Sequence, residues 1–129
     1  MVDFQGDDTM NPEELSGRLL EFAARVGKVV DALPDTRLGR HIAGQLVRCG
    51  TSSGPNDEEG CAAESRKDFV HKLSVSLKEL RESRFWFRLI IKAELLSEAK
   101  MAHLLDECSQ LCNILGQLLT AEEKTDENQ

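Results

Sequence analysis

The chain has no tyrosine, a single tryptophan, and only three prolines, Pro12, Pro34 and Pro55, in 129 residues. Few breakers, and β-branched residues too scattered to form strands, count against a sandwich or barrel and favour helix. No apolar run approaches the roughly 18 residues of a membrane span, so no membrane partner is expected. Residues 1–11 hold three acids and no base, unlike a secretory signal or transit peptide. No glycine-rich phosphate loop, metalloprotease motif or cysteine pair at zinc-finger spacing occurs. The four cysteines carry no sign of export, which suits reduced thiols in a cytoplasmic protein. Cys108 and Cys112 lie one turn apart among leucines, where thiols act as small apolar fillers.

What is present suits one packed domain. Hydrophobic residues make up 40% of the chain and charged residues 30%, which supports a core and excludes a disordered polymer. Residues 1–11 read as a disordered lead-in, 12–119 as the folded domain, and 120–129, with four acids and one lysine, as an acidic disordered tail. Leu15, Leu19, Phe22, Val26, Val29 and Leu33 step by four and three, a stripe that faces a neighbour through a helix over 12–33. Asn11 before Pro12 is a cap followed by a first-turn proline, and Pro34 closes the segment.

A second, shorter helix starts near Asp35 and carries Leu38, Ile42, Leu46 and Cys49. Two glycines and a proline within residues 50–56 predict a break, with a brief return to helix over 57–63. Asn56 and Glu59 are expected in that break as a structural turn, bonding backbone groups it leaves open. Ser65 with Asp68 resembles a capping box and opens a long helix from Arg66 to about Leu95. Its stripe is Phe69, Leu73, Ser76, Leu80, Ser83, Phe87 and Ile90, the serines marking close approach of a neighbour. A fourth helix after Ser97 carries Met101, Leu105, Cys108, Cys112, Leu115 and Leu119, with Leu104, Leu111 and Leu118 beside them, and should be broadly buried. The expected fold is all-α, an antiparallel up-down-up-down four-helix bundle.

Charge is segregated. From Arg66 to Lys92 eight bases face three acids, a local +5 in a chain of net −7, leaving −12 on the remainder. At about 100° per residue, Lys78, Arg81, Arg84, Arg88 and Lys92 share one flank of the core stripe, with Phe85 nearby. Glu79 and Glu82 share the other with Val75, Trp86 and Leu89. The basic ladder is a candidate contact for nucleic acid or a neighbouring subunit. It can neutralise phosphates while the aromatic stacks on a base, or form salt bridges to acids of a neighbouring helix or subunit. The mixed flank is a candidate oligomer interface, since head-to-tail rings use two complementary flanks. The other reading is that both flanks pack within one bundle.

No catalytic or metal site emerges. His103 lies about 140° round the helix from Cys108, so it cannot converge with Cys108 and Cys112 on a metal. His41, His71 and Glu59 lack a nucleophile or carboxylate at a telling spacing. No catalytic residue, metal or cofactor is expected.

Gly44 to Arg48, then Thr51-Ser52, Asn56 and Glu59, the run from Ala63 to Leu73, then Leu77-Lys78-Glu79 and Glu82-Ser83-Arg84, form an ordered series. The series resembles the bacterial four-helix bundle proteins first met as reading frames in intervening sequences of 23S ribosomal RNA genes. The resemblance covers roughly residues 15–119. It implies a homopentameric ring of antiparallel bundles, in a family not known as enzymes. A related group, the accessory variability determinants of diversity-generating retroelements, binds nucleic acid and the reverse transcriptase through a basic pentamer. Here Ser53 and Asp57 stand where that pattern is usually apolar, and the chain is acidic where the retroelement proteins are basic. The reading that results is a non-enzymatic, pentameric interaction module that binds nucleic acid or a ribonucleoprotein. Its alternative is a protein-binding scaffold whose ladder is used up in subunit contacts.

Overall fold

The computed structural model describes residues 10–127, so most of the expected lead-in, residues 1–9, lies outside the described residues. Four helices follow in order: α1 Pro12–Ala32, α2 Arg37–Cys61, α3 Arg66–Lys92 and α4 Glu98–Glu127. Asn11 Oδ1 accepts the Glu14 N–H at 2.8 Å, Thr36 accepts from Gly39 and Ser65 accepts from Asp68, so three helix starts are capped by the side chain just ahead of them. Ser97 Oγ does the same for α4 by accepting the Lys100 N–H at 3.2 Å. α3 ends with Leu95 N–H on the Ile90 carbonyl and Glu94 N–H on that of Ile91. Glu94 takes the left-handed position of this motif (φ 57°), where glycine is usual.

Contacts along the helices run in opposite senses. Lys72 meets Glu59, Ser76 meets Ser53 and Ser83 meets Cys49, rising on α3 while falling on α2. Likewise Arg66 pairs with Glu122 and Cys108 bonds the Leu80 carbonyl, so α3 and α4 are antiparallel. The bundle closes on three broad seams, α1–α2, α2–α3 and α3–α4, and on a slim one between α1 and α4. Arg18 crosses that slim seam to Glu107 at 2.6 Å. Most of the expected stripe residues form the core, but Leu38 is exposed, Val29, Leu33, Leu105 and Leu119 are half-buried, and on α4 the buried places go to Leu104, Leu111 and Leu118. Leu15, Leu19, Phe22 and Val26 of α1, Leu73, Leu80, Phe87 and Ile90 of α3, and Met101, Cys108, Leu111 and Leu115 of α4 are all buried. Phe22 meets Phe87 edge-on across it, with centroids 6.0 Å apart.

Three expectations need correction. The break over residues 50–56 is absent: α2 runs on through it with Pro55 inside. The glycines serve packing instead of turning. A Cβ on Gly50 would lie 2.7 Å from Val26 Cγ1, and one on Gly60 would lie 3.2 Å from Lys72 Cβ. Pro55 lacks the N–H its turn needs, and nearby side chains bond carbonyls of that stretch, Thr51 that of Val47 and Asn56 that of Ser52. Asn56 and Glu59 therefore do not form a turn; both are helical, and Glu59 pairs with Lys72 at 2.9 Å. Nor is the tail free from residue 120. α4 continues to Glu127, and Glu122 is 7% exposed against Arg66 at 2.5 Å, an ion pair that ties this turn to the start of α3. Among the described residues no helix is long and apolar enough to cross a membrane.

Candidate nucleic-acid interface

α3 is a 27-residue helix packed on α2 along one edge and on α4 along the other. Its stripe of Leu73, Ser76, Leu80, Ser83 and Phe87 points inward, which fixes the direction of everything else on it. Lys78, Arg81, Arg88 and Lys92 are exposed and Arg84 is half-buried on the side towards α4. The Cys112 thiol, coupled to that of Cys108 beside it, is held below its usual range, with the Arg84 and Arg81 guanidiniums adding to the effect. The six ion pairs among the described residues use Arg18, Arg40, Arg48, Arg66 and Lys72, and none uses a ladder cation. Among the described residues the five bases thus stand on one face without an ion pair, Lys78 lying nearest an acid, Glu82.

Phe85 sits on the same outward face, between the directions of Lys78 and Arg88, and is 56% exposed. Its ring touches Trp86 edge-on at 5.2 Å, and Trp86 in turn meets His41 of α2 at 5.7 Å. Three aromatic rings therefore form a row from the outer face of α3 across to α2, beginning beside the ladder.

The opposite flank has partners within the bundle. Arg48 of α2 bonds Glu79 at 3.1 Å and also pairs with Glu82. Trp86 Nε1 donates to Glu82 Oε2 at 3.0 Å. Arg48 first, and Trp86 after it, hold the Glu82 carboxyl below its usual range. Val75 and Leu89 are half-buried on this side. The structure therefore brings the candidate interface residues together, but against α2. Reading one helix at a time missed Arg48, although His41, Gln45 and Arg48 step by four and three along a single face of α2.

Cys49 Sγ, Glu79 and Glu82 place one potential ligand atom each within 4.8 Å of one another. The Arg48 guanidinium already lies on both carboxylates, and burial pushes the Cys49 thiol up to about 11. This is a site built round an organic cation, and a thiol kept protonated is a poor metal ligand. All four cysteines are free thiols. His103 is exposed while Cys108 and Cys112 are buried, so the histidine points away from the two thiols. At the far end of α2, Ser53 Oγ and Asp57 Oδ2 are buried without a hydrogen-bond partner among the described residues.

Residues 16–117 match the family model described as 23S rRNA-intervening sequence protein. A crystal structure of a protein of unknown function from the S23 ribosomal protein family of Bacteroides thetaiotaomicron is also similar. It is 28% identical with a TM-score of 0.76, over 81% of this chain and 97% of that one. No curated protein matches.

Proposed function

The chain belongs to the 23S rRNA-intervening sequence protein family, and from that premise we propose that it is an interaction module docking nucleic-acid phosphates on the basic face of α3. One observation carries the reading: five cations share a helix face and none of them forms an ion pair among the described residues. Cations left unpaired by the fold are available to an external polyanion, and each phosphate they neutralise releases a condensed counterion. The −12 borne by the rest of the chain makes α3 the most favourable helix for a polyanion to approach. The acids on α3 do not oppose this, since Arg48 already neutralises Glu79 and Glu82.

A mobility-shift titration with mixed-sequence RNA and DNA at several salt concentrations tests it. Five phosphate contacts give a slope of log affinity against log salt of about −3.5 for a single strand and about −4.5 for a duplex. Arg88→Gln should flatten that slope by about one contact. No shift at the lowest salt overturns the reading.

A second reading, a homopentamer whose subunit contacts consume the ladder, is favoured by the exposed apolar side chains Leu20, Leu38 and Val47. The acids it would use on α3 already hold Arg48, so an incoming ladder would meet that guanidinium there. Light scattering near five chain masses, lost on reversing Arg81 and Arg88 to Glu, is the result this reading expects. A monomer at micromolar concentration removes it.

A further inference from the structure

The phosphate reading leaves open which form of nucleic acid the face accepts, and the rings beside the ladder bear on that. A duplex hides its base faces inside the stack and offers protein only phosphates, sugars and base edges. A purely basic face suits it. An exposed aromatic in the middle of such a face contributes nothing to a duplex and is a liability in water. Phe85 is that residue, more than half exposed, among Lys78, Arg81 and Arg88. It does not serve the fold from where it stands, because the core phenylalanine of this helix segment is Phe87, fully buried two positions on.

We propose that the Phe85 face of α3 binds single-stranded nucleic acid, with a base stacked on Phe85 and its flanking phosphates held by the ladder. This rests on the phosphate reading above and narrows it. The geometry suits a short strand. From Lys78 to Lys92 is about 21 Å at a 1.5 Å rise, a length that a strand of a few extended nucleotides spans. Trp86 supports the Phe85 ring from one side and is itself propped by His41 and bonded to Glu82, so the platform is held by α2 rather than by solvent. Unpaired bases stack on such rings whatever their identity, because each has a π-face. The site is therefore expected to prefer strand form over sequence.

The chain has one tryptophan, and it touches the proposed stacking ring, so the protein carries its own reporter. The experiment titrates full-length protein with a labelled 12-nucleotide oligouridylate, the matching deoxy strand, and a 12-base-pair duplex. Anisotropy reads affinity and Trp86 emission reads the platform. Both single strands should bind at least tenfold tighter than the duplex and change the Trp86 emission, whereas the duplex should leave it unchanged. Phe85→Ala should weaken single-strand binding about tenfold without altering duplex binding or the helical circular dichroism, and Phe85→Tyr should restore it. Equal affinity for strand and duplex, with Phe85→Ala neutral and Arg88→Gln weakening both, overturns the stacking site while leaving the phosphate reading intact. No binding of any probe at low salt overturns both, and an oligomer that Arg88→Glu breaks would then assign the ladder to subunit contacts. If only the ribo strand binds, the proposal holds with the 2′-hydroxyl as a further contact; if only the deoxy strand binds, it holds for DNA.

Discussion

Asp57 occupies a core position that its neighbours would fill with an apolar side chain. It is 3% exposed, its Oδ2 has no partner among the described residues, and burial, with Glu58 adding to it, raises its carboxyl from 3.8 to about 6. The folded chain therefore holds the proton more tightly than the unfolded chain does. Below about pH 3 both forms are protonated and the residue costs nothing extra. Between about pH 4 and 6 the unfolded chain ionises while the folded one holds its proton, and above 6 the fold bears a buried charge, at about 3 kcal/mol for a shift of this size. Asp57→Asn should match the wild type in urea melts at pH 3 and exceed it by about 2–3 kcal/mol at pH 8. A difference that does not change with pH would mean the carboxylate reaches water. Gly50 makes a steric counterpart. Gly50→Ala gains about 1 kcal/mol of helix propensity but drives a methyl into Val26, and the overpacking should leave a net loss of about 1–2 kcal/mol. Gly44→Ala meets nothing within 4 Å and should stabilise by up to about 1 kcal/mol.

At the level of the helices, the alternation of four and three carries the stability. Leu73 and Phe87 are 2% and 0% exposed on the α3 stripe, so Leu73→Ala or Phe87→Ala should each cost about 2–5 kcal/mol in denaturant melts. Less than about 1 kcal/mol for both would place the core face elsewhere. These stripes were legible in the sequence, as were the caps at Asn11 and Ser65, because each depends on residues within one or two turns of one another. The course of α2 was not. Gly50, Gly54 and Pro55 read as breakers in isolation, yet Gly50 is required by a side chain 24 positions away on α1, a contact no local pattern reveals. The ladder was legible for the same local reason as the stripes. That it forms no ion pair among the described residues, and that Arg48 neutralises the opposite flank, depended on which helix lies beside which. The burial of Glu122 was hidden too, since Arg66, its partner, is 56 residues earlier. An acidic terminus read alone looks solvated.

For the molecule as a whole, the uneven seams matter most. α2 and α3 share the broadest contact, while α1 and α4 meet along a slim strip latched by Arg18 to Glu107 and Gln110. The bundle is thus two hairpins joined along a spine, and the free energies of local opening should be graded accordingly. Amide hydrogens of α1 and of the outer turns of α4 should exchange with deuterium ahead of those of α2 and α3. Arg18→Gln should speed α1 most, and exchange at one uniform rate would show that the fold opens only as a unit. In that hierarchy the most slowly exchanging pair includes the helix that bears the ladder and the aromatic row. A partner docking there would engage the part of the protein that moves least, leaving α1 and α4 free to open without releasing it.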